Sequence, residues 1–243
     1  MQIILHPDKA AVDKAFEALK TFEWGQDRGP LRPIDDAINA THGDAALRKE
    51  LETRLLAVLG CWMPRAAKDF AFRRLSLMGT AASVPVLADL LADKDLAHMA
   101  RFALERIPDA AAAEALRAAL AKTAGPLRVG CIVSLGARRD EPSVPALAAL
   151  LAEQDQAVAA AAATALGHIG TAEAAAAVAD FLKKAPAGLK AVAADANLAC
   201  AGRLVAAGKK AEAAAIYRAL AGADQPKHVR VAVAQGLLAA GAP

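Results

Sequence analysis

The stretches "SVPVLADLLAD" (83–93) and "SVPALAALLAE" (143–153) are nearly the same eleven residues, written sixty positions apart. Sixty is twice thirty, so an intervening copy is expected, and aligning on the leucine of SVPxL finds it. Leu87, Leu116, Leu147 and Val178 follow one another at steps of 29, 31 and 31. Leu91, Leu120, Leu151 and Leu182 keep the same steps, as do Leu75, Leu104, Leu135 and Leu166 from the preceding segments. Three parallel columns at one period define stacked repeats, in which each unit buries its apolar face against its neighbours.

Each unit reads as two helices. The first is written "DLAHMARFALERIP" (95–108) or "DQAVAAAAATALGHIG" (155–170). Asp95 and Asp155 are placed as N-caps, with Gly79, Pro108, Gly136 and Gly170 as stops. The second opens on Ser83 or Ser143 as N-cap, with proline in the first turn, where its missing N–H costs nothing. Alanine makes up roughly a quarter of the chain, aromatics are 4%, and β-branched runs are few, so the expected class is all-α.

The pattern D-x-x-V-x-x-x-A-A-x-A-L-G-x-x-G followed by A-x-P-x-L-x-x-L-L resembles the HEAT repeat, in the short variety of the phycobilin lyases. Asp155, Val158, Ala162, Ala163, Ala165, Leu166, Gly167 and Gly170 carry the best match. The family's V-R pair has counterparts in Leu127-Arg128 and Val229-Arg230. The resemblance implies a right-handed α-α superhelix of stacked hairpins over residues 64–243, with first helices on the convex side and second helices on the concave side. Residues 1–63 lack the columns but show helix patterns at 8–22, 30–41 and 43–59, and are read as a helical cap continuous with the repeats in one domain. "GRLVAAGKKAEAAAIYRALAGA" (202–223) is similar to a tetratricopeptide helix pair, through Gly208, Tyr217 and Ala219.

The register sorts the second helices into buried and exposed positions. Asp89, Ala118, Ala149 and Asp180 form the exposed column, beside Pro85, Glu114, Pro145 and Ala176: a smooth, slightly acidic face. Arg73, Arg74, Arg101, Arg106, Arg138 and Arg139 fall late in first helices or in the turns, read as a solvated, ion-paired edge that could also take an acidic partner. A phosphate track needs several cations in line, so nucleic acid is not the expected partner, and the net charge of +3 does not ask for one.

Chemistry-bearing motifs are scarce. Cys61, Cys131 and Cys200 lie far apart, which fits reduced thiols in helix interfaces rather than disulfides or zinc. No pair among His6, His42, His98, His168 and His228 has metalloprotease spacing, and no Walker, GxSxG or GxGxxG motif occurs. His6-Pro7-Asp8 resembles the HPD signature of J-domain co-chaperones, but only five residues precede it, and Asp8 as a helix N-cap explains it better. In Trp24-Gly25-Gln26-Asp27-Arg28, the tryptophan is read as a plug closing the first layer or as a binding anchor, with Asp27 and Arg28 fixing the turn. Trp62 is expected in the core.

The expected function is a non-enzymatic scaffold holding a protein or peptide partner on the concave face, with no metal and no cofactor. The candidate partner-binding residues are Trp24, Asp27, Arg28, Asp89, Arg101, Arg138, Arg139, His168 and Asp180. Two alternatives stand beside it: a phycobilin-lyase-like enzyme or enzyme subunit, and a HEAT-like DNA glycosylase or DNA-binding protein. Free cysteines, no membrane span and no leader place the expected location in the cytoplasm, although a leader already removed would leave the same sequence.

Overall fold

The structure, a computed structural model, describes residues 8–60, 62–222 and 225–241. His6, Pro7 and Cys61 lie outside them. The described residues form helices and turns with no strand, so the all-α solenoid class expected from the periodicity is the one observed. The chain divides into two compact units, Met1–Ala115 and Leu116–Pro243, described separately below.

The first unit holds α1 (Lys9–Leu19), α2 (Arg32–Asn39), α3 (Ala45–Gly60), α4 (Arg65–Met78), α5 (Val84–Asp89), α6 (Ala97–Leu104) and the start of α7 (Ala110–Lys122). The expected helices at 8–22, 30–41 and 43–59 are α1, α2 and α3 with trimmed ends. Asp8 caps α1 as expected, its carboxylate accepting from Ala10 N at 3.0 Å. Glu52 of α3, which the pattern does not single out, is buried. Its Oε1 accepts from Thr80 N at 2.7 Å and from Ser83 Oγ, and Thr80 Oγ1 lies 2.9 Å from Oε2. One carboxylate thereby satisfies the half-buried donors of Thr80 and the buried hydroxyl of Ser83 in the α4–α5 turn.

The second unit holds the end of α7, then α8 (Gly125–Arg138), α9 (Val144–Ala149), α10 (Gln156–Ile169), α11 (Ala172–Lys184), α12 (Lys190–Ala206), α13 (Lys210–Ala219) and α14 (Lys227–Ala239). The first helices α8, α10 and α12 stack in sequence, with α9 and α11 packed beside them. Gly136 and Gly167 allow the close approach. A methyl at Gly136 would lie 2.7 Å from Ala165 Cα, and one at Gly167 would lie 3.0 Å from Ala196 Cα. Both pairs step by 31, so glycine on alanine is the repeat's own crossing contact. Tyr217 is buried, its ring lying where a methyl on Gly236 would sit.

The leucine columns are interior. Leu75, Leu104, Leu135 and Leu166 are fully buried, as are Leu87, Leu116, Leu147 and Val178; Leu182 is half-buried. Each buried leucine is worth roughly 2 kcal/mol of transfer free energy, which is why the columns survive where other positions drift. The duplicated stretches even share their irregularity. A 3-10 turn (Ala81–Ser83, Glu141–Ser143), a six-residue α-helix and a second 3-10 turn (Leu90–Ala92, Leu150–Ala152) recur in both. α7 and α11, without proline in the first turn, run unbroken for 13 residues each.

Several local expectations are corrected. Asp95 does not cap α6. Asp93 Oδ1 accepts from Asp95 N and Leu96 N at 2.8 and 2.9 Å, so the tight turn it closes delays the helix to Ala97. Helix 95–108 is accordingly short, and Pro108 lies beyond its end. Ser83 and Ser143 make no N-cap bond. Both are buried, one donating to Glu52 and the other to Asp140 O at 2.7 Å. Gly136 does not stop α8, which continues to Arg138 and ends on Arg139 in the left-handed region (φ 54°). Asp155 and Gly170 (φ 70°) cap α10 as expected. Cys131 and Cys200 are buried thiols in helix interiors, as expected.

Candidate functional site

The site is built on α11. Thr171 Oγ1 accepts from Ala174 N at 3.1 Å to start it, and Glu173 in the first turn and Lys183 and Lys184 in the last complement its dipole. Ala174, Ala175, Val178 and Phe181 turn inward. Glu173, Ala177, Asp180 and Lys184, spaced four, three and four, form a single stripe on the side away from Val178. Ala177 is half-buried and the other three are exposed.

At the C-terminal end of this stripe lies an open cavity of about 490 Å³, between the 3-10 turn that ends α9, the second half of α11, and the segment Pro186–Leu189. Leu151, Phe181, Leu189 and several alanines make an apolar floor, with Glu153, Asp180 and Lys184 at the rim. Glu153 accepts from Arg128 Nη1 at 3.1 Å, and Asp180 from Lys183 Nζ at 2.9 Å. The Lys183 hydrogen bond, with the charges of Lys183 and Lys184, holds the Asp180 carboxyl below its ordinary range. The lining contains no nucleophile beside a base. It is an apolar floor with charged margins.

A second cavity, of about 650 Å³, opens at the other end of α11, where Thr171 and Glu173 meet Arg139, Glu141, Arg203 and Lys209. Gly170 shapes it. A methyl there would lie 2.4 Å from Arg203 Cβ and 2.5 Å from Cγ, so the arginine stem lies directly over the glycine. Among the described residues no group of three His, Cys, Asp or Glu side chains could hold a metal ion, and no helix is long and apolar enough to cross a membrane.

Of the residues singled out from the sequence, Asp180 borders the first cavity and Arg139 the second. Arg138 is half-buried and His168 exposed, and neither lines either cavity. In the first unit, Asp89 is exposed at the end of α5 and Arg101 is half-buried on α6. Asp27 fixes its turn as expected, accepting from Gly29 N at 3.0 Å, and Arg28 is exposed. Trp24 is 60% exposed, so it does not plug the layer; Gly25 (φ 89°) turns the chain outward. Trp62 is fully exposed and not in the core. Of the arginines expected to form an ion-paired edge, Arg74 binds Asp35 through two 2.8 Å bonds and lies 3.5 Å over the Phe70 ring, and Arg73 binds Asp69 at 2.9 Å.

The sequence reading missed the cavity floor and the pair Arg203 and Lys209. Phe181 and Leu151 occupy core positions of the repeat, and only the packing shows that their edges reach an opening. The change in the column from Ala118 and Ala149 back to an aspartate at Asp180, as at Asp89, was the available sign.

The family model for HEAT repeats matches residues 113–197, the stretch that contains α8 to α11. Among solved structures, an engineered protein from the Northeast Structural Genomics Consortium is similar at 19% identity and TM-score 0.49, covering 93% of this chain and 68% of that one. Human deoxyhypusine hydroxylase in complex with glycerol is similar at 17% identity and TM-score 0.40, covering 96% of each chain. No curated protein matches the chain. The middle third of the chain thus carries HEAT repeats, and the leucine columns that run through it are buried.

Proposed function

We propose that the protein is a non-enzymatic scaffold that binds a protein partner along the exposed face of its second helices, anchored at the cavity beside α11. The observation that carries this reading is the open apolar floor of Leu151, Phe181 and Leu189 within the HEAT-matched region, on a face otherwise paved with small side chains. An apolar side chain of a partner gains transfer free energy there, and the exposed Pro145, Ala146, Ala149 and Ala176 let a backbone approach closely. The α11 stripe offers one cation, Lys184, against Glu173 and Asp180, short of the line of cations that a phosphate backbone needs.

Random-peptide display against the purified chain tests this. Enriched peptides are expected to share a large apolar residue. Their affinity is expected to fall at least about tenfold in Ala177→Arg, which fills the cavity mouth from a helix-compatible position. Ala118→Arg, on an exposed position outside the cavity, is expected to bind normally. No enrichment, or equal binding by Ala177→Arg, refutes the reading.

A further inference from the structure

We propose that the partner segment also carries a carboxylate group about four residues from its apolar anchor, and that Arg139, Arg203 and Lys209 receive it. This rests on the anchor reading above and specifies the partner's chemistry. The two cavities lie at opposite ends of one helix stripe, marked by Glu173 at one end and Asp180 and Lys184 at the other. From Glu173 to Phe181 the helix advances about 12 Å, at roughly 1.5 Å per residue. An extended chain advances about 3.3 Å per residue, so about four residues span the two openings.

The three cations come from the end of α8, the last turn of α12 and the turn that follows it. Arg139 is the only described non-glycine residue with positive φ, at the end of α8. Arg203 crosses the α10–α11 turn on the surface left by Gly170. Lys209 follows Gly208 (φ 78°). Three other cations of this unit are matched: Arg117 to Asp140 at 2.6 Å, Arg128 to Glu153 and Lys183 to Asp180. None of Arg139, Arg203 and Lys209 forms an ion pair among the described residues. They line the cavity unneutralised, with Glu141 and Glu173 as the opposing charges, one fewer than the cations. An incoming carboxylate therefore meets net attraction, weakened by those two glutamates, and the sign of each contribution is separately testable.

The test uses fluorescein-labelled nine-residue peptides of serine and alanine. Each carries one tryptophan and, four residues away on either side, a Glu-Glu or Gln-Gln pair; further peptides place the Glu-Glu pair adjacent to the tryptophan. In fluorescence anisotropy at low salt, the four-spaced Glu-Glu peptide in one of its two orders is expected to bind at least about fivefold tighter than its Gln-Gln twin and than the adjacent-pair peptide. Lys209→Glu, an exposed turn substitution, and the Arg139→Gln/Arg203→Gln double variant are expected to erase that advantage. Glu141→Gln/Glu173→Gln is expected to enlarge it. If Glu-Glu and Gln-Gln peptides bind alike yet both are lost in Ala177→Arg, the acidic element is wrong and the anchor stands. If Ala177→Arg changes nothing, or no peptide binds, the anchor reading fails and this proposal with it.

Discussion

The same substitution, glycine to alanine, is expected to act with opposite signs at three helix positions of the second unit. Inside a helix the exchange gains about 1 kcal/mol from backbone entropy and propensity. At Gly202, exposed on α12, a methyl meets nothing within 4 Å, so Gly202→Ala is expected to stabilise by about 0.5–1 kcal/mol. At Gly136 the methyl would lie 2.7 Å from Ala165 Cα and 2.9 Å from Ala165 Cβ, about 1 Å inside ordinary carbon contact. The obstacle is helix backbone, which cannot swing aside. Overpacking of this kind costs about 1–3 kcal/mol, so Gly136→Ala is expected to destabilise by about 1–2 kcal/mol net of the propensity gain. Gly167→Ala, with its nearest contacts at 3.0 Å, should fall between the two. Urea denaturation followed by far-UV circular dichroism reads the order as midpoints at unchanged slope. If Gly136→Ala shifts its midpoint upward as Gly202→Ala does, α8 and α10 do not meet backbone to backbone and the repeat's packing has been misread.

Two further outcomes follow from buried polar groups. Glu52→Ala strands the buried Ser83 hydroxyl and unpairs the half-buried Thr80 donors, and is expected to cost about 2–3 kcal/mol. Glu52→Gln, keeping one acceptor oxygen, is expected to cost about half that, and a loss under 0.5 kcal/mol for the alanine variant would contradict the buried acceptor. Burial pushes the Cys200 thiol from 9.0 up to about 12. The unfolded thiol ionises first, so this contribution is intact below pH 9.0 and declines as pH rises toward about 12. The slope is about 1.4 kcal/mol per pH unit, and denaturation in mildly and strongly alkaline buffers should show it in the parent and not in Cys200→Ala. Parallel pH profiles would show that Cys200 is wetter than the structure has it.

What the sequence made legible is what stacking repeats. Leu75, Leu104, Leu135 and Leu166 must all be buried for one hairpin to cover the next, so their spacing carries the architecture without reference to anything remote. Caps were legible only where no competing partner existed. Asp155 caps α10 because its turn is otherwise open, whereas Ser83 was drawn away by Glu52, thirty-one residues earlier, and Asp95 was pre-empted by Asp93. The tryptophans failed for a related reason: apolarity alone argues burial, but Trp24 precedes a left-handed glycine and Trp62 precedes Pro64 at the start of α4, and both are turned outward. Of the candidate site, only Asp180 and Arg139 were legible. The floor was hidden because its residues also serve the core, and Arg203 because its approach depends on a glycine thirty-three residues away.

The positions that do not repeat are therefore the informative ones. Laid on the period of 31, Ala149 and Leu150 of α9 and its 3-10 turn become Asp180 and Phe181 of α11, and Glu153 becomes Lys184. The register also changes type here: proline in the first turn leaves α9 short and closed by a 3-10 turn, while α11 runs on. Two unlike second helices side by side cannot meet along their full length, and the cavity lies where they part. Stacking constrains the buried columns through roughly 2 kcal/mol per leucine but places no comparable demand on the outer stripe. Side chains there are free to differ from one unit to the next, which is the freedom a binding surface needs. The coincidence of three changes from the preceding unit, a change of helix type and an apolar opening is what marks the junction of α9 and α11 on a face whose other exposed positions are mostly alanine and proline.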